Sequence, residues 1–235
     1  MIWLPYIDEC VCFANAEDVK DSHKKTKTNF ECNDVGNMYE YVRCKVEREE
    51  RLFKFTQYVM IQSFEDEFYI LNMTSVTPGE SGKPLIKSDP RYCVEEKETN
   101  YFRKGVGNLL QMMKWSRPEI YNSVRDLSRN MNGVTKYHIK VMQFVMKYLV
   151  STPTQGLELK SERKWFGNNP NFIFKIKGIV DQDFSACKST RRNVTGYSTF
   201  IGNTLVAVKI YMQEVLMKHN HARVAVMLLT HYCSN

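Results

Sequence analysis

Between Tyr101 and Leu149 apolar residues recur every three or four positions in three successive runs, and this block limits what the rest of the chain can build. Val106, Leu109, Leu110 and Met113 mark one face of the first run. Ile120, Val124 and Leu127 mark the second, and Val141, Met142, Val145 and Leu149 the third. A helix of 3.6 residues per turn gathers such positions into one stripe, and consecutive stripes leave water by packing on one another. Helix punctuation agrees with the spacing. Ser116-Arg117-Pro118-Glu119 is a start, with a first-turn proline and an acid that favours the N-terminal dipole. Asn132-Gly133 closes the second run and Thr152-Pro153 the third. The methionines on these faces are packing residues, because a flexible thioether fills gaps between helices.

On either side the period shortens. Residues 2–14 form two short apolar segments around Asp8-Glu9, a hairpin with an acidic tip. Ala16 to Phe30 is polar and lysine-rich, with Val19, His23 and Phe30 as sparse markers of a helix face. Tyr39 to Val46 and Leu52 to Phe55 read as a second hairpin turned by Arg48-Glu49-Glu50. Gln57 to Tyr69 returns to helical spacing through Tyr58, Ile61, Phe64 and Phe68. Beyond the helical block, Phe172, Phe174 and Ile176 alternate with Lys175 and Lys177 in a half-buried strand running to Val180. Val194 to Ile201 and Leu205 to Tyr211 are two more strands, and Gln213 onward reads as a helix carrying His219, His221 and Arg223. Turn formers in Thr77-Pro78-Gly79-Glu80-Ser81-Gly82-Lys83-Pro84 mark a linker that a looser run extends, and Lys160 to Pro170 marks another. The expected fold class is α+β, in segments 1–76, 77–100 (linker), 101–150 (helical), 151–170 (linker) and 171–235.

Composition excludes several classes. The chain has 235 residues, enough for a sizeable core at 43% hydrophobic and 25% charged. Seven scattered cysteines, an odd number with no Cys-x-x-Cys pair, build no disulfide framework or zinc site. Reduced thiols fit an intracellular protein, cytoplasmic or nuclear. Asp8 and Glu9 interrupt the N-terminus too early for a signal peptide, and no apolar stretch approaches the about 20 residues that cross a bilayer. No membrane partner is expected, and the two glycosylation sequons, at Asn72 and Asn193, are coincidental. Gly79 to Lys83 lacks the spacing of a phosphate-binding loop. The formal net charge of +7 is compatible with a polyanionic partner without specifying one.

The residues with chemical potential are acidic. Gly178-Ile179-Val180-Asp181-Gln182-Asp183-Phe184 is an apolar run ending in two carboxylates, which share one side of a strand. Two carboxylates on one face repel unless a cation or a proton lies between them, so the pair is either a divalent-metal site or a solvated strand end. Asp8-Glu9 poses the same alternative at its hairpin tip.

In their order these landmarks resemble the C-terminal half of the polyprotein of copia-type LTR retrotransposons: the end of the reverse transcriptase, its connection region and the start of RNase H. Tyr6-Ile7-Asp8-Glu9 is similar to the Tyr-x-Asp-Asp turn of the polymerase palm, and Phe30-Glu31-Cys32-Asn33-Asp34-Val35-Gly36 to the Phe-x-x-x-Asp-Leu-Gly segment after it. Val106-Gly107-Asn108-Leu109-Leu110, Arg117-Pro118-Glu119-Ile120 and Leu127-Ser128-Arg129 resemble landmarks of the connection. Asp181-Gln182-Asp183-Phe184, Ser189-Thr190-Arg191-Arg192 and Thr195-Gly196-Tyr197 resemble the opening of RNase H. The resemblance runs to about Gln213. It implies a partial palm and thumb, a helical connection and a truncated RNase H-like mixed sheet. It further implies catalytic positions at Asp8, Glu9 and Asp181, with Mg2+ or Mn2+ held by these and Asp183. The partner it implies is an RNA–DNA hybrid or DNA.

Departures from the family pattern bear on activity. Glu9 stands where the family has aspartate, and the extra methylene shifts a metal-binding oxygen by over ~1 Å, enough to cost on the order of a hundredfold. The family's other palm aspartate lies upstream of the turn with which this sequence begins. His221 and Arg223 align where RNase H places carboxylates, and neither replaces a hard oxygen ligand. Each acidic set is therefore expected to be incomplete and the chain, as a polyprotein remnant, inactive by itself. Two alternatives remain: a non-catalytic nucleic-acid binder using Lys24-Lys25-Thr26-Lys27 and Lys188-Ser189-Thr190-Arg191-Arg192, or part of a longer active polyprotein.

Overall fold

The computed structural model describes residues 2–6, 9–13, 16–33, 35–70, 74–79, 85, 90–160, 176–183, 194–212 and 226–227. Its core is helical. Helices α2 (Tyr58–Phe68), α3 (Glu96–Trp115), α4 (Tyr121–Ser128) and α5 (Lys136–Ser151) bury their stripes in one cluster, and a 3₁₀ turn at Pro118–Ile120 leads into α4. Ile61, Phe64 and Phe68 of α2 meet Phe102, Val106, Leu109 and Met112 of α3, Val124 and Leu127 of α4, and Met142, Val145, Met146 and Leu149 of α5. Leu110, Met113 and Val141 are at the edge of the cluster, packed against it but only partly buried. Tyr58, the first residue of α2, is instead 43% exposed. Gly105 lets three helices converge: a Cβ there would run into Met142 Sδ and come within 2.9 Å of Phe68 Cε1.

Polar side chains close the helix ends from inside the bundle. A helix leaves its last carbonyls without partners. Phe68 O accepts from the Tyr101 hydroxyl at 3.1 Å and from Gln143 Nε2 at 3.4 Å, after which Tyr69 turns away in the left-handed region (φ 55°). At the start of α5, Thr135 N donates to His138 Nδ1 at 3.1 Å while Thr135 Oγ1 accepts from His138 N. This is a reciprocal cap with histidine where glutamate or glutamine is usual.

Among the described residues the strands form three antiparallel sheets. Strands β1 (Ile2–Tyr6) and β2 (Glu9–Phe13) form a hairpin in which Tyr6 faces Glu9. Helix α1 (Ala16–Asn29) follows; of the expected marker residues His23 is half-buried, while Val19 (38%) and Phe30 (70%) are exposed. Strands β3 (Glu40–Tyr41), β4 (Cys44–Glu49), β5 (Leu52–Thr56) and β6 (Leu157–Lys160) make a second sheet in that order. The run from Tyr39 to Val46 is not one strand. It reverses at Val42 (φ 52°) and Arg43 (φ 59°), and the next turn falls at Glu50-Arg51 rather than Arg48-Glu49-Glu50. Glu96–Asn100 open α3 and Leu157–Lys160 form β6, although both stretches have the composition of linkers. Gly156 makes that pairing possible, because a Cβ there would overlap Phe55 O.

The third sheet has the order β10-β7-β8-β9, from β7 (Ile176–Asp183), β8 (Val194–Ile201), β9 (Thr204–Met212) and β10 (Val226–Met227). The Thr204 hydroxyl ties it to the second sheet, accepting from Lys160 N at 3.0 Å and donating to Lys160 O at 2.7 Å. Phe172–Lys175, Lys188–Arg192 and the helix expected over Gln213–Arg223 lie outside the described residues. Among the described residues, no helix is long and apolar enough to cross a membrane.

A fully buried leucine at the centre of the cluster and an exposed tyrosine at its margin separate packing from propensity. Leu109→Ala should cost about 2–5 kcal/mol in urea unfolding. Tyr58→Ala should stay within about 0.5 kcal/mol.

Candidate functional site

The two acidic positions at the tip of the first hairpin fare differently. Asp8 lies outside the described residues. Glu9 opens β2, and its Oε2 accepts a hydrogen bond from the Val42 N–H at 2.7 Å. That amide begins the two-residue reversal at Val42-Arg43. A left-handed conformation crowds Cβ against the carbonyl and costs roughly 1–2 kcal/mol for an ordinary residue, with β-branched valine a poor occupant. Glu9 therefore clamps a strained turn across 33 residues of chain. The carboxylate expected to hold a metal has one oxygen committed to the backbone.

The turn also buries Cys44, which is 1% exposed. Loss of solvation, then the nearby carboxylates of Glu40 and Glu9, push its thiol up to about 12. It remains a neutral packing residue at physiological pH, since the thiolate is the reactive form.

Asp181 occupies a different sheet. On β7 it is exposed and stands opposite Gly196 of β8, which in turn faces Ile210 of β9. Lys177, Ile179 and Asp181 are exposed while Ile176, Gly178 and Val180 are half-buried, so the expected period of two holds along β7. Asp183 takes the register position opposite Val194, two residues along the same strand. Among the described residues, no group of three or more His, Cys, Asp or Glu is placed to hold a metal ion. Glu9 and Asp181, both expected as ligands, lie in separate sheets.

Among the described residues, the charged group most thoroughly built into the structure is one that the sequence offered only as a landmark. Arg117 is 1% exposed. Its Nε donates to Glu119, Nη1 to Thr152 O at 2.9 Å, and Nη2 to Thr152 Oγ1 at 2.7 Å and Gln155 Oε1 at 3.3 Å. The guanidinium also lies 5.3 Å from the centre of the Tyr148 ring. Beside it is a cleft of about 250 Å³ lined by Lys54, Arg117, Glu119, Thr154, Gln155, Gly156 and Glu158. Two cations and two carboxylates leave this cleft without net charge, and most donors of its arginine are spent on the protein. The sequence signals for Arg117 were its position between two apolar stripes, immediately before a helix-starting proline, and its place in the Arg117-Pro118-Glu119-Ile120 landmark.

Substitution should distinguish a clamp from a ligand. Glu9→Ala should destabilise the chain by about 1–3 kcal/mol through the orphaned Val42 amide. Glu9→Gln, which keeps an accepting oxygen but removes the charge, should recover most of that loss in the same denaturant titration. Cys44 supplies a separate alkaline signature. A thiol whose folded pKa exceeds its unfolded value retains its proton only in the native state as pH rises, so stability falls above the unfolded pKa. Between pH 9 and 11 the native chain should lose stability relative to Cys44→Ala, by no more than about 1.4 kcal/mol per pH unit.

Known proteins supply the wider relation. No family model matches the chain, and no solved structure matches it. It is 28% identical over 135 residues to an uncharacterized mitochondrial protein of Arabidopsis thaliana, covering 57% of this chain and 52% of that one. Over 215 residues, 87% of the chain, it is 25% identical to the retrovirus-related Pol polyprotein from transposon TNT 1-94 of Nicotiana tabacum. Over 100 residues it is 27% identical to the corresponding polyprotein from transposon RE1 of Arabidopsis thaliana. The chain spans about half the mitochondrial relative, and the matches cover 15% and 6% of the two polyproteins. On these matches the chain is a relative of the copia-type retrotransposon Pol polyproteins, corresponding to a segment of their length.

Proposed function

We propose that this chain is the stretch of a retrotransposon Pol polyprotein running from the end of the reverse-transcriptase palm, through the connection, into the start of RNase H. We also propose that it performs neither polymerisation nor hybrid cleavage by itself. The observation that carries the second part is the commitment of Glu9 to the Val42 amide. Two-metal chemistry needs carboxylates that converge on ions about 3.5–4 Å apart, clamping the attacking and leaving oxygens together. With Oε2 held on the turn, Glu9 has Oε1 left to offer an ion, and its position is set by the Val42 amide rather than by a metal. On the RNase H-like side Asp181 is an exposed strand residue, and in the sequence resemblance His221 and Arg223 align with positions that carry carboxylates in the family. In this reading Mg2+ or Mn2+ is the cofactor of the ancestral reaction, the RNA–DNA hybrid or DNA its substrate, and Asp8, Glu9, Asp181 and Asp183 inherited ligand positions. The helices from Glu96 to Ser151 are then the connection, a scaffold between two former centres.

The purified chain, supplied with primed template or an RNA–DNA hybrid and with Mg2+ or Mn2+, should give no extension and no cleavage above the Asp8→Asn/Asp181→Asn double variant. Metal-dependent turnover exceeding that control would overturn the reading.

A further inference from the structure

We propose that the face of the third sheet carrying Lys177, Ile179 and Asp181 is where two copies of this chain pair, related by a two-fold axis that crosses the strands at Ile179. Among the described residues, none of this sheet belongs to the apolar core, whose members and edge residues run no further than Val150. Of the side chains described on β7, β8 and β9, only Thr195 is buried. An apolar sheet needs another layer against it. Residues that face one another across paired strands share a side of the sheet. The register therefore puts three rows on the Lys177 side: Lys177–Phe200–Leu205, Ile179–Ser198–Val208 and Asp181–Gly196–Ile210. Lys177, Ile179 and Asp181 are exposed, and the β8 and β9 members of the rows are half-buried.

These rows are complementary to themselves. Lys177 and Asp181 are four residues apart on an extended strand, about 13 Å, too far to pair within one chain. Among the described residues, no ion pair engages either. A two-fold interface requires that residue i meet j while j meets i. An axis lying between two such sheets and perpendicular to the strands, centred on Ile179, lays each strand antiparallel over its own copy. It sets Lys177 against Asp181 of the second copy, Phe200 over Gly196 and Leu205 over Ile210, while Ile179, Ser198 and Val208 meet themselves. Each charge falls on its opposite, and the large ring falls where there is no side chain. Packed sheets keep their strands within about 30° of alignment, so these meetings hold for the two residues on either side of the axis. The rival axis, along the strands, would stack lysine on lysine and aspartate on aspartate, which repel. A partner of another kind would not need rows that read alike from both ends. The pairing requires no catalytic centre, so it stands or falls apart from the proposed loss of activity.

The test is sedimentation velocity of the full chain from about 1 to 200 μM, with a thiol reductant present because Cys10, Cys32 and Cys93 are exposed. The wild type should pass from monomer to dimer as concentration rises. Asp181→Lys and Lys177→Asp each set like charges against one another on both sides of the axis and should weaken dimerisation at least about tenfold. The exchange Lys177→Asp/Asp181→Lys in one chain should restore it. So should mixing the two single variants in equal amounts, since a dimer of one of each pairs every charge; a variant that had merely misfolded would not be rescued. Gly196→Val probes the position under Phe200. A Cβ there meets Ile210 Cγ1 at an ordinary 3.6 Å and valine suits a strand, so the circular dichroism should be unchanged while dimerisation falls at least about tenfold. Lys209→Asp, on the opposite side of the sheet, should leave dimerisation as it was. A chain monomeric at every concentration, a dimer indifferent to the charge variants or to Gly196→Val, or single charge variants that stay apart when mixed would each overturn the proposal.

Discussion

A buried guanidinium joins the helical core to the second sheet. Burying an ion costs several kcal/mol even after the surroundings relax, and the cost is recovered only where hydrogen bonds surround the charge. Arg117 meets that condition with partners from separate parts of the chain. Glu119 is in the 3₁₀ turn that starts α4, Thr152 ends α5, and Gln155 is in the loop that leads to β6. Tyr148 presents its ring to the same charge, and its hydroxyl donates to Gln155 Oε1 at 3.4 Å. Only a planar fork of five donors can satisfy so many acceptors at once, so lysine is no substitute here. Once Gln155 is fixed, Gly156 passes against Phe55 O and Leu157 falls into register beside Phe55. A sheet with strands about a hundred residues apart in sequence is thus assembled around one side chain.

The acidic hairpin tip works in a similar way. Glu9 does not stand apart from the fold as a ligand waiting for an ion; it satisfies an amide that Val42 exposes by turning left-handed. The turn in turn places Tyr41 edge-on to Trp115 at 6.3 Å and buries Cys44. One carboxylate therefore links the first hairpin, the second sheet and the end of α3. Its charge is used where an alternative acceptor would also serve, which separates its structural role from metal chemistry that needs the charge itself.

Much of the fold was legible because helix and strand periodicity is local. The stripes through Val106, Leu109, Val124, Leu127, Met142 and Val145 are buried where the spacing placed them, and the alternation leading to Asp181 continues through β7. What escaped depends on distant partners. Val42 and Arg43 lack the glycine or asparagine that advertises a left-handed turn, so their reversal was hidden inside an apparently continuous strand. Leu157-Glu158-Leu159-Lys160 is too short to declare itself, and its strand character comes from pairing with β5. Phe30 and Val19 have the residue types of a packed face, yet the seam of α1 is polar. For the candidate site, the sequence singled out Glu9 as an acidic position by resemblance but could not reveal the Val42 amide that one of its oxygens accepts from.

These observations divide the polar groups of the chain into two populations. Arg117, Glu9, Thr135 with His138, and the buried pair in which Ser116 Oγ donates to Gln57 Oε1 at 2.7 Å are joints: each meets a group distant in the fold or closes a helix end. A joint contributes because its partner is fixed, and buried polar groups left without partners are costly. Such groups are poor material for chemistry, which needs a side chain able to exchange a protein partner for a substrate. The second population, Asp181 and the lysines of α1, is exposed, as the Glu9 carboxylate is too, but is not anchored to a distant backbone group. Charges there meet partners through solvent, where screening acts over about 8–10 Å at ordinary salt. Among the residues described, the fixed polar groups therefore serve the fold, and the exposed charges remain solvated.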